Sequence, residues 1–312
     1  MNLHQFKFVH EAVKHNLNLT LAAQALHTSQ PGVSKAILEL ESELGIEIFA
    51  RHGKRLKRIT PPGAKVIKSI EVILSELNNL KKIGQEFSAQ DCGTLSIATT
   101  HTQARYVLPP VLTQLRSGYP NVNISLHQGT PQQAANMVMD ELADIAIATE
   151  SLADFDELVT LPCYHWQHVL VMPPDHPLSL QKKPITLKQL STYPLITYHP
   201  TFTGRQRIDT AFAKHHLVPN IALEAIDSDV IKTYVRIGMG VGIVAEMAIQ
   251  PQFDKDLVIK PAWDLFGQNL ARVAFRRGSY VRQFVLDFAQ LLSPDLTNST
   301  ILKALEASSS NR

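Results

Sequence analysis

The hydrophobic period of this chain changes once, near Thr94, and that change limits what it can fold into. Before it, apart from one short stretch, apolar residues recur three and four apart. After it, short alternating or continuous apolar runs take turns with helical segments. That order of periods specifies a helical module followed by a β/α module, and 312 residues suffice for two or three domains.

In the first segment, Leu3, Phe6, Val9 and Val13 mark an amphipathic helix that Asn16 to Asn18 breaks. Thr20 is an expected N-cap for a short second helix, Leu21 to Leu26, whose Ala22 and Ala23 allow close crossing. Ser29 can cap a third helix with Pro31 in its first turn, where the missing N–H costs nothing. That helix buries Val33, Ile37, Leu40 and Leu44 and stops at Gly45. Its outward edge carries Gln30, Ser34 and Lys35, side chains able to reach adenine, guanine or phosphate from the start of a recognition helix. Ile46, Ile48 and Phe49 then read as a core strand leading into a β-wing.

Net charge is only +2, but its distribution is uneven. Arg51, Lys54, Arg55, Lys57, Arg58, Lys65 and Lys68 fall in one stretch without a carboxylate, as a phosphate-binding surface requires. A solvated face, or a three-helix module for protein contacts, is the blander alternative. The capped turn, the polar edge and the basic wing together point to DNA, with Ser29, Gln30, Pro31, Ser34, Lys35, Arg51, Lys54 and Arg55 as contacts. Two cysteines make neither a disulfide framework nor a zinc site. The charged opening is no signal peptide and no apolar run reaches the length of a membrane span, so no membrane partner and a cytoplasmic location are expected.

This stretch, LTLAAQALHTSQPGVSKAILELESELGIEIFARHGKRLKRITPPG, resembles the LysR-type transcriptional regulators. The shared features are the Ala-Ala pair, the Ser-Gln-Pro turn, the Ser-Lys pair, the Leu-Glu-x-Glu-Leu-Gly ending and the Phe-x-Arg after it. The resemblance implies promoter DNA as partner, possible contact with RNA polymerase, and a linker-helix homodimer that often assembles into a homotetramer. The residues agree: from Thr60-Pro61 to about Glu86, Val66, Ile70, Ile73, Leu77 and Leu80 form a heptad seam, thickened by Ile67 and Leu74. A helix packed on its own domain is the other reading of that stripe. Gln85 to Gly93 reads as a hinge.

Beyond it, strands are expected at Leu95–Ile97, Val122–Leu126 and Ile145–Ala148, with helices around Ala104–Leu115 and after Thr130. The alternation restarts after Trp166 and ends with a strand near Ala271 and a helix at Phe284–Leu292. Alternation alone also fits a flavodoxin-like sheet. With the resemblance, it implies an α/β chain with an N-terminal winged helix-turn-helix, a long linker helix and a C-terminal two-lobe, periplasmic-binding-protein-like effector domain. The expected divisions are 1–59, 60–92, and 93–292 with lobe one at 93–164 plus 269–292 and lobe two at 165–268. Residues 293–312 read as a polar, poorly ordered tail.

Three threonine-rich segments fall at strand–helix junctions: Thr99 to Gln103, Thr149, and Thr201 to Arg205. Hydroxyls and an amide beside free helix N–H groups make an uncharged cradle for a small anion. Taken singly, each threonine is as well explained as a cap. The segments ATTHTQARY, AIATE, LPCYHW, TFTGR and DVIKTYVR resemble one subgroup of the family, the regulators of cysteine biosynthesis and sulfur assimilation with their paralogue for sulfate starvation. That resemblance implies Thr100, Thr102, Gln103, Thr149, Trp166 and Thr203 as effector contacts. It implies no cofactor beyond the effector itself, N-acetylserine or O-acetylserine, with sulfate possible. Gly238 to Gly242 follows a helix and precedes a strand, the wrong order for a dinucleotide loop. None of the 13 histidines has metal-ligand spacing, and no catalytic constellation is evident. A solute-binding protein or an enzyme on the same two-lobe scaffold remain the competing classes.

Overall fold

Asn2 starts the first helix through a reciprocal capping box with Gln5. The computed structural model describes residues 1–53, 55–88 and 92–309, which form two units, 1–85 and 86–312. In the first unit, α1 (Leu3–Lys14), α2 (Leu19–Ala25) and α3 (Gln30–Leu44) bury Val9, Ala12, Ala23, Val33, Ile37 and Leu40. Asn18, not Thr20, caps α2, accepting from the Thr20 and Leu21 N–H groups at 3.1 and 3.2 Å. The earlier start carries Leu19 into the core. Ser29 caps α3, accepting from Gly32 N–H at 3.3 Å, and Gly45 ends it at φ 68°, where a Cβ would be strained.

The wing is β1 (Phe49–His52) paired antiparallel with β2 (Arg55–Ile59). Thr60 then caps α4 (Pro61–Ser88), accepting from Gly63 N–H at 2.9 Å. The expected seam is divided. Ile67 and Ile70 are buried in the first unit's own core with Val66 and Leu74 beside them, whereas Ile73 and Leu80 are 40% and 66% exposed. The apolar stripe is wide enough to serve two faces. The expected hinge includes residues 89–91, which lie outside the described residues.

The second unit begins its sheet with β3 (Cys92–Thr99). The single helix expected over Ala104–Leu115 is two, α5 (His101–Tyr106) and α6 (Leu108–Gly118). Pro109 and Pro110 cannot donate to the preceding turn, so the chain restarts with both in the first turn of a new helix. There follow β4 (Asn121–Gln128), α7 (Pro131–Met139) and β5 (Ile145–Ala148). Then β6 (Leu158–Met172) runs 15 residues. Next come α8 (Leu187–Leu190), β7 (Leu195–Tyr198), α9 (Thr203–Lys214), β8 (Ile221–Ala225), α10 (Ser228–Arg236) and β9 (Val241–Ala245). The remainder is β10 (Val258–Pro261), α11 (Trp263–Phe266), β11 (Gln268–Arg276), α12 (Gln283–Leu292) and α13 (Asn298–Ser309). Gly238 to Gly240 turn from α10 into β9, and Gly242 lies in that strand.

Two lobes arise because β6 belongs to both sheets. Its residues up to Gln167 pair with β11, next to β5, β3 and β4; from His168 on it pairs with β9 and β10. A flavodoxin-like sheet has no such shared antiparallel strand. The expected tail past Ser293 is corrected: Thr297 accepts from Thr300 N–H at 3.1 Å, and α13 buries Ile301 and Leu305 in the core of lobe one, with Leu296 just before it. Among the described residues, no helix is long and apolar enough to cross a membrane, and no group of His, Cys, Asp and Glu could hold a metal ion.

Candidate functional site

Two pairs of parallel strands, one pair from each lobe and running in opposite directions, end on one cleft. Thr99 and Thr100 close β3, Thr149 follows β5, Tyr198 ends β7 and Ala245 ends β9. This is the carboxyl edge at which open α/β sheets collect ligands. Helices α5 and α9 start there without a side-chain cap. The resulting cavity, about 420 Å3 including its solvent-facing mouth, is lined by Thr100, Thr102, Gln103 and Thr149. Trp166, Tyr198, Phe202, Gly204, Ala245 and Met247 complete the lining.

One wall is polar. Gln103 is buried, and its Oε1 accepts from the Thr99 and Thr100 hydroxyls at 3.0 and 2.9 Å, which fixes the amide and leaves Nε2 as the donor. Opposite are Trp166, Phe202 and Met247. The Trp166 Nε1 donor is buried with no partner among the described residues. Behind the indole, His168 is fully buried, its ring 5.0 Å from that of Trp166 and 5.7 Å from that of Phe266. Burial, then the charge of Arg207, pushes this imidazole down to about 3, so it is neutral. A Cβ on Gly204 would stand 3.1 Å from both His168 Nε2 and Trp166 Cη2, so any larger residue there would require this wall to give by a few tenths of an ångström. Tyr198 joins the floor: its hydroxyl lies 2.7 Å from that of Ser228 and accepts from Ala245 N–H at 2.9 Å. Burial raises the Cys163 thiol to about 12, so it is protonated at neutral pH and a poor nucleophile.

Five of the six residues expected from sequence, Thr100, Thr102, Gln103, Thr149 and Trp166, line this one cavity. Thr203 begins α9, but its side chain lies outside the described residues. Sequence reasoning missed Tyr198, Ala245 and Met247. The signal for the first two was their place as the last residue of a buried strand, which tells only once the strand order is known.

On the first unit, Ser29, Pro31 and Lys35 are exposed and Gln30 and Ser34 half-buried at the start of α3. Lys35 lies 3.8 Å from Glu39 and is 80% exposed, so this pair holds it weakly. Arg55, Lys57 and Arg58 project from β2 into solvent. Lys54 lies outside the described residues. Arg51, also expected among the DNA contacts, pairs its guanidinium at 2.9 Å with Glu41, which is buried. Its first task is to balance that carboxylate.

A helix-turn-helix with a basic wing, followed by a two-lobe domain whose cleft is lined by hydroxyls, defines a ligand-responsive DNA-binding regulator. Residues 3–64 match the model described as bacterial regulatory helix-turn-helix protein, lysR family, and residues 88–296 match the LysR substrate binding domain. The chain belongs to the LysR family of transcriptional regulators and is not an enzyme. It is 54% identical to HTH-type transcriptional regulator CysB of Burkholderia cenocepacia, over 98% of this chain and 97% of that one. It is 46% identical to the regulator SsuR of the same organism, over 96% of this chain and 97% of that one. Among solved structures, the cofactor-binding domain of the Cbl transcriptional regulator superposes with a TM-score of 0.66 at 43% identity. That match covers 69% of this chain and 93% of that one.

Proposed function

We propose that this regulator binds promoter DNA at genes of cysteine biosynthesis and sulfur assimilation and changes its complexes there when a small anion occupies the cavity between its lobes. The convergence of Thr100, Thr102, Gln103 and Thr149 with Trp166 on one uncharged cavity carries the reading. Hydroxyls and an amide suit a carboxylate or sulfate that must be released again. The apolar wall of Trp166, Phe202 and Met247 favours an effector with a small apolar group beside its anion. N-acetylserine and O-acetylserine have one in their acetyl groups; sulfate fits only the polar side. Within Burkholderia cenocepacia, the identity to CysB exceeds that to SsuR, which favours the cysteine regulator over its paralogue.

DNA is read by Gln30, Ser34 and Lys35 from α3, with Ser29 and Pro31 shaping its first turn and Arg55 and its neighbours on the phosphates. We assign residues 1–59 to DNA binding, 60–92 to the linker, and 93 through α13 to effector binding. The working form is a dimer through α4, assembling to a tetramer in the cytoplasm and acting on RNA polymerase as an activator.

The test is a gel-shift titration with promoter DNA, with and without N-acetylserine, O-acetylserine and sulfate, on the wild type and a Thr102→Ala/Gln103→Ala variant. The wild-type complexes should change with an acetylserine, and the variant should bind DNA yet ignore it. A variant that still responds, or a wild type indifferent to every effector, overturns the assignment.

A further inference from the structure

Helix α5 does two jobs within six residues. Its first turn brings Thr102 and Gln103 to the cavity, and its last two residues reach lobe two. The Tyr106 hydroxyl donates to Asp229 Oδ1 at 2.5 Å, and the Arg105 guanidinium pairs with the other carboxylate oxygen. Asp229 lies in the first turn of α10. Lys232, one turn on, holds its Nζ 3.5 Å from Asp229 Oδ1 and 5.5 Å from the centroid of the Tyr106 ring. That ammonium is itself anchored, donating to Ala248 O at 2.8 Å and to the buried Asp254 at 3.0 Å. Burial works against ionisation of Asp229, but the Tyr106 hydroxyl, Lys232 and Arg105 outweigh it and hold the carboxyl below its usual range.

A matching contact flanks the other side of the cavity. Glu150, next to Thr149, takes the Arg207 guanidinium of α9 and the Leu270 N–H, the latter at 3.0 Å. Each polar segment that lobe one gives to the cavity is thus followed, within three residues, by a charged contact to lobe two.

We propose that Asp229, gripping Tyr106 and Arg105, is a positioning residue for effector binding: it holds α5 so that Thr102 and Gln103 face the lobe-two wall. The inference rests on the cavity being the effector site and adds how that site is kept assembled. Apparent affinity scales with the fraction of molecules in the binding-competent arrangement, so loosening the grip weakens binding without removing any contact to the effector. Global stability should hardly notice. The Arg105 and Asp229 side chains are 50% and 37% exposed, and ion pairs so exposed add little to folding.

The chain has two tryptophans, Trp166 in the cavity wall and Trp263, which is 54% exposed. In a full-length Trp263→Phe parent, emission therefore reports on Trp166 alone. This parent is titrated with N-acetylserine and with sulfate, alongside Asp229→Asn, Tyr106→Phe, their double variant and Thr102→Ala/Gln103→Ala. Asp229→Asn and Tyr106→Phe should each weaken N-acetylserine binding about fivefold at an unchanged Tm, and the double variant no more than the stronger single. Parent-like affinity in both single variants overturns the latch while the cavity reading stands. A lowered Tm with weaker binding in proportion, and additive in the double variant, makes the contact merely structural and overturns it too. If the parent responds to neither probe, or the Thr102→Ala/Gln103→Ala variant responds like the parent, the cavity reading fails and the latch with it.

Discussion

Glu41 accepts from the N–H groups of Ile48 and Phe49 at 2.8 and 3.0 Å and from Arg51 at 2.9 Å. It thereby fixes where α3 hands over to the wing. A buried carboxylate left without its cation is costly, so Arg51→Ala should destabilise the DNA-binding unit by about 2–3 kcal/mol, lowering its Tm. Arg55, exposed one strand away, should behave in the opposite sense. Its alanine variant keeps the Tm, weakens binding to specific and random DNA alike, and reduces the log–log salt slope by about one. Equal Tm values for the two variants would show that Arg51 belongs with the phosphate contacts after all. Composition shows a basic stretch but not which cation faces a carboxylate ten residues back; that depends on the turn between them. Thr102 and Gln103 could be placed at the cavity because threonine-rich segments recur at several strand–helix junctions and the family resemblance names them; each alone reads as well as a cap. Tyr198 and Ala245 could not be, since each reads locally as ordinary core.

Elements were legible wherever a cap and a period coincided, as in α3 and α7. The sequence misled where two signals competed. Past Ser293 polar residues outnumber apolar ones, yet Ile301 and Leu305, four apart, share the face of a helix that packs on lobe one, with Leu296 just before it. Strand β6 shows the limit of periodicity, because its alternation contains no mark of the point, between Gln167 and His168, where it passes from one sheet to the other. His168 at that crossing gives a pH signature. Its pKa falls from about 6.5 in the unfolded chain to about 3 in the fold, so between those values the unfolded state binds the extra proton. Its contribution is complete above about pH 6.5 and is lost as pH falls towards 3. Near pH 5.5 the loss is about 1.4 kcal/mol. Thermal unfolding of the effector domain from pH 7.5 to 5.0 should show it, and His168→Gln should flatten that limb; an unchanged slope in the variant would place the effect elsewhere.

At the scale of the whole molecule, one α3 reads too short a stretch of DNA to be selective; in the proposed dimer a two-fold partner would supply the second half-site. The residues available for that partnership are those α4 does not spend on its own core. With Ile67 and Ile70 already buried, Ile73, Leu77 and Leu80 remain for a second copy. Burying two such side chains per protomer is worth about 1.5–3 kcal/mol each, enough to govern assembly at micromolar concentration. Ile73→Glu/Leu80→Glu alters positions exposed in the single chain, so its secondary structure and effector titration should stay as in the wild type. Sedimentation velocity should show it as a monomer at concentrations where the wild type is dimeric or larger. DNA affinity should fall at least tenfold on a two-fold-symmetric site and little on an isolated half-site, because only the symmetric site rewards the second α3. A variant that still sediments as a dimer would move the subunit contact off α4 and onto the effector domains.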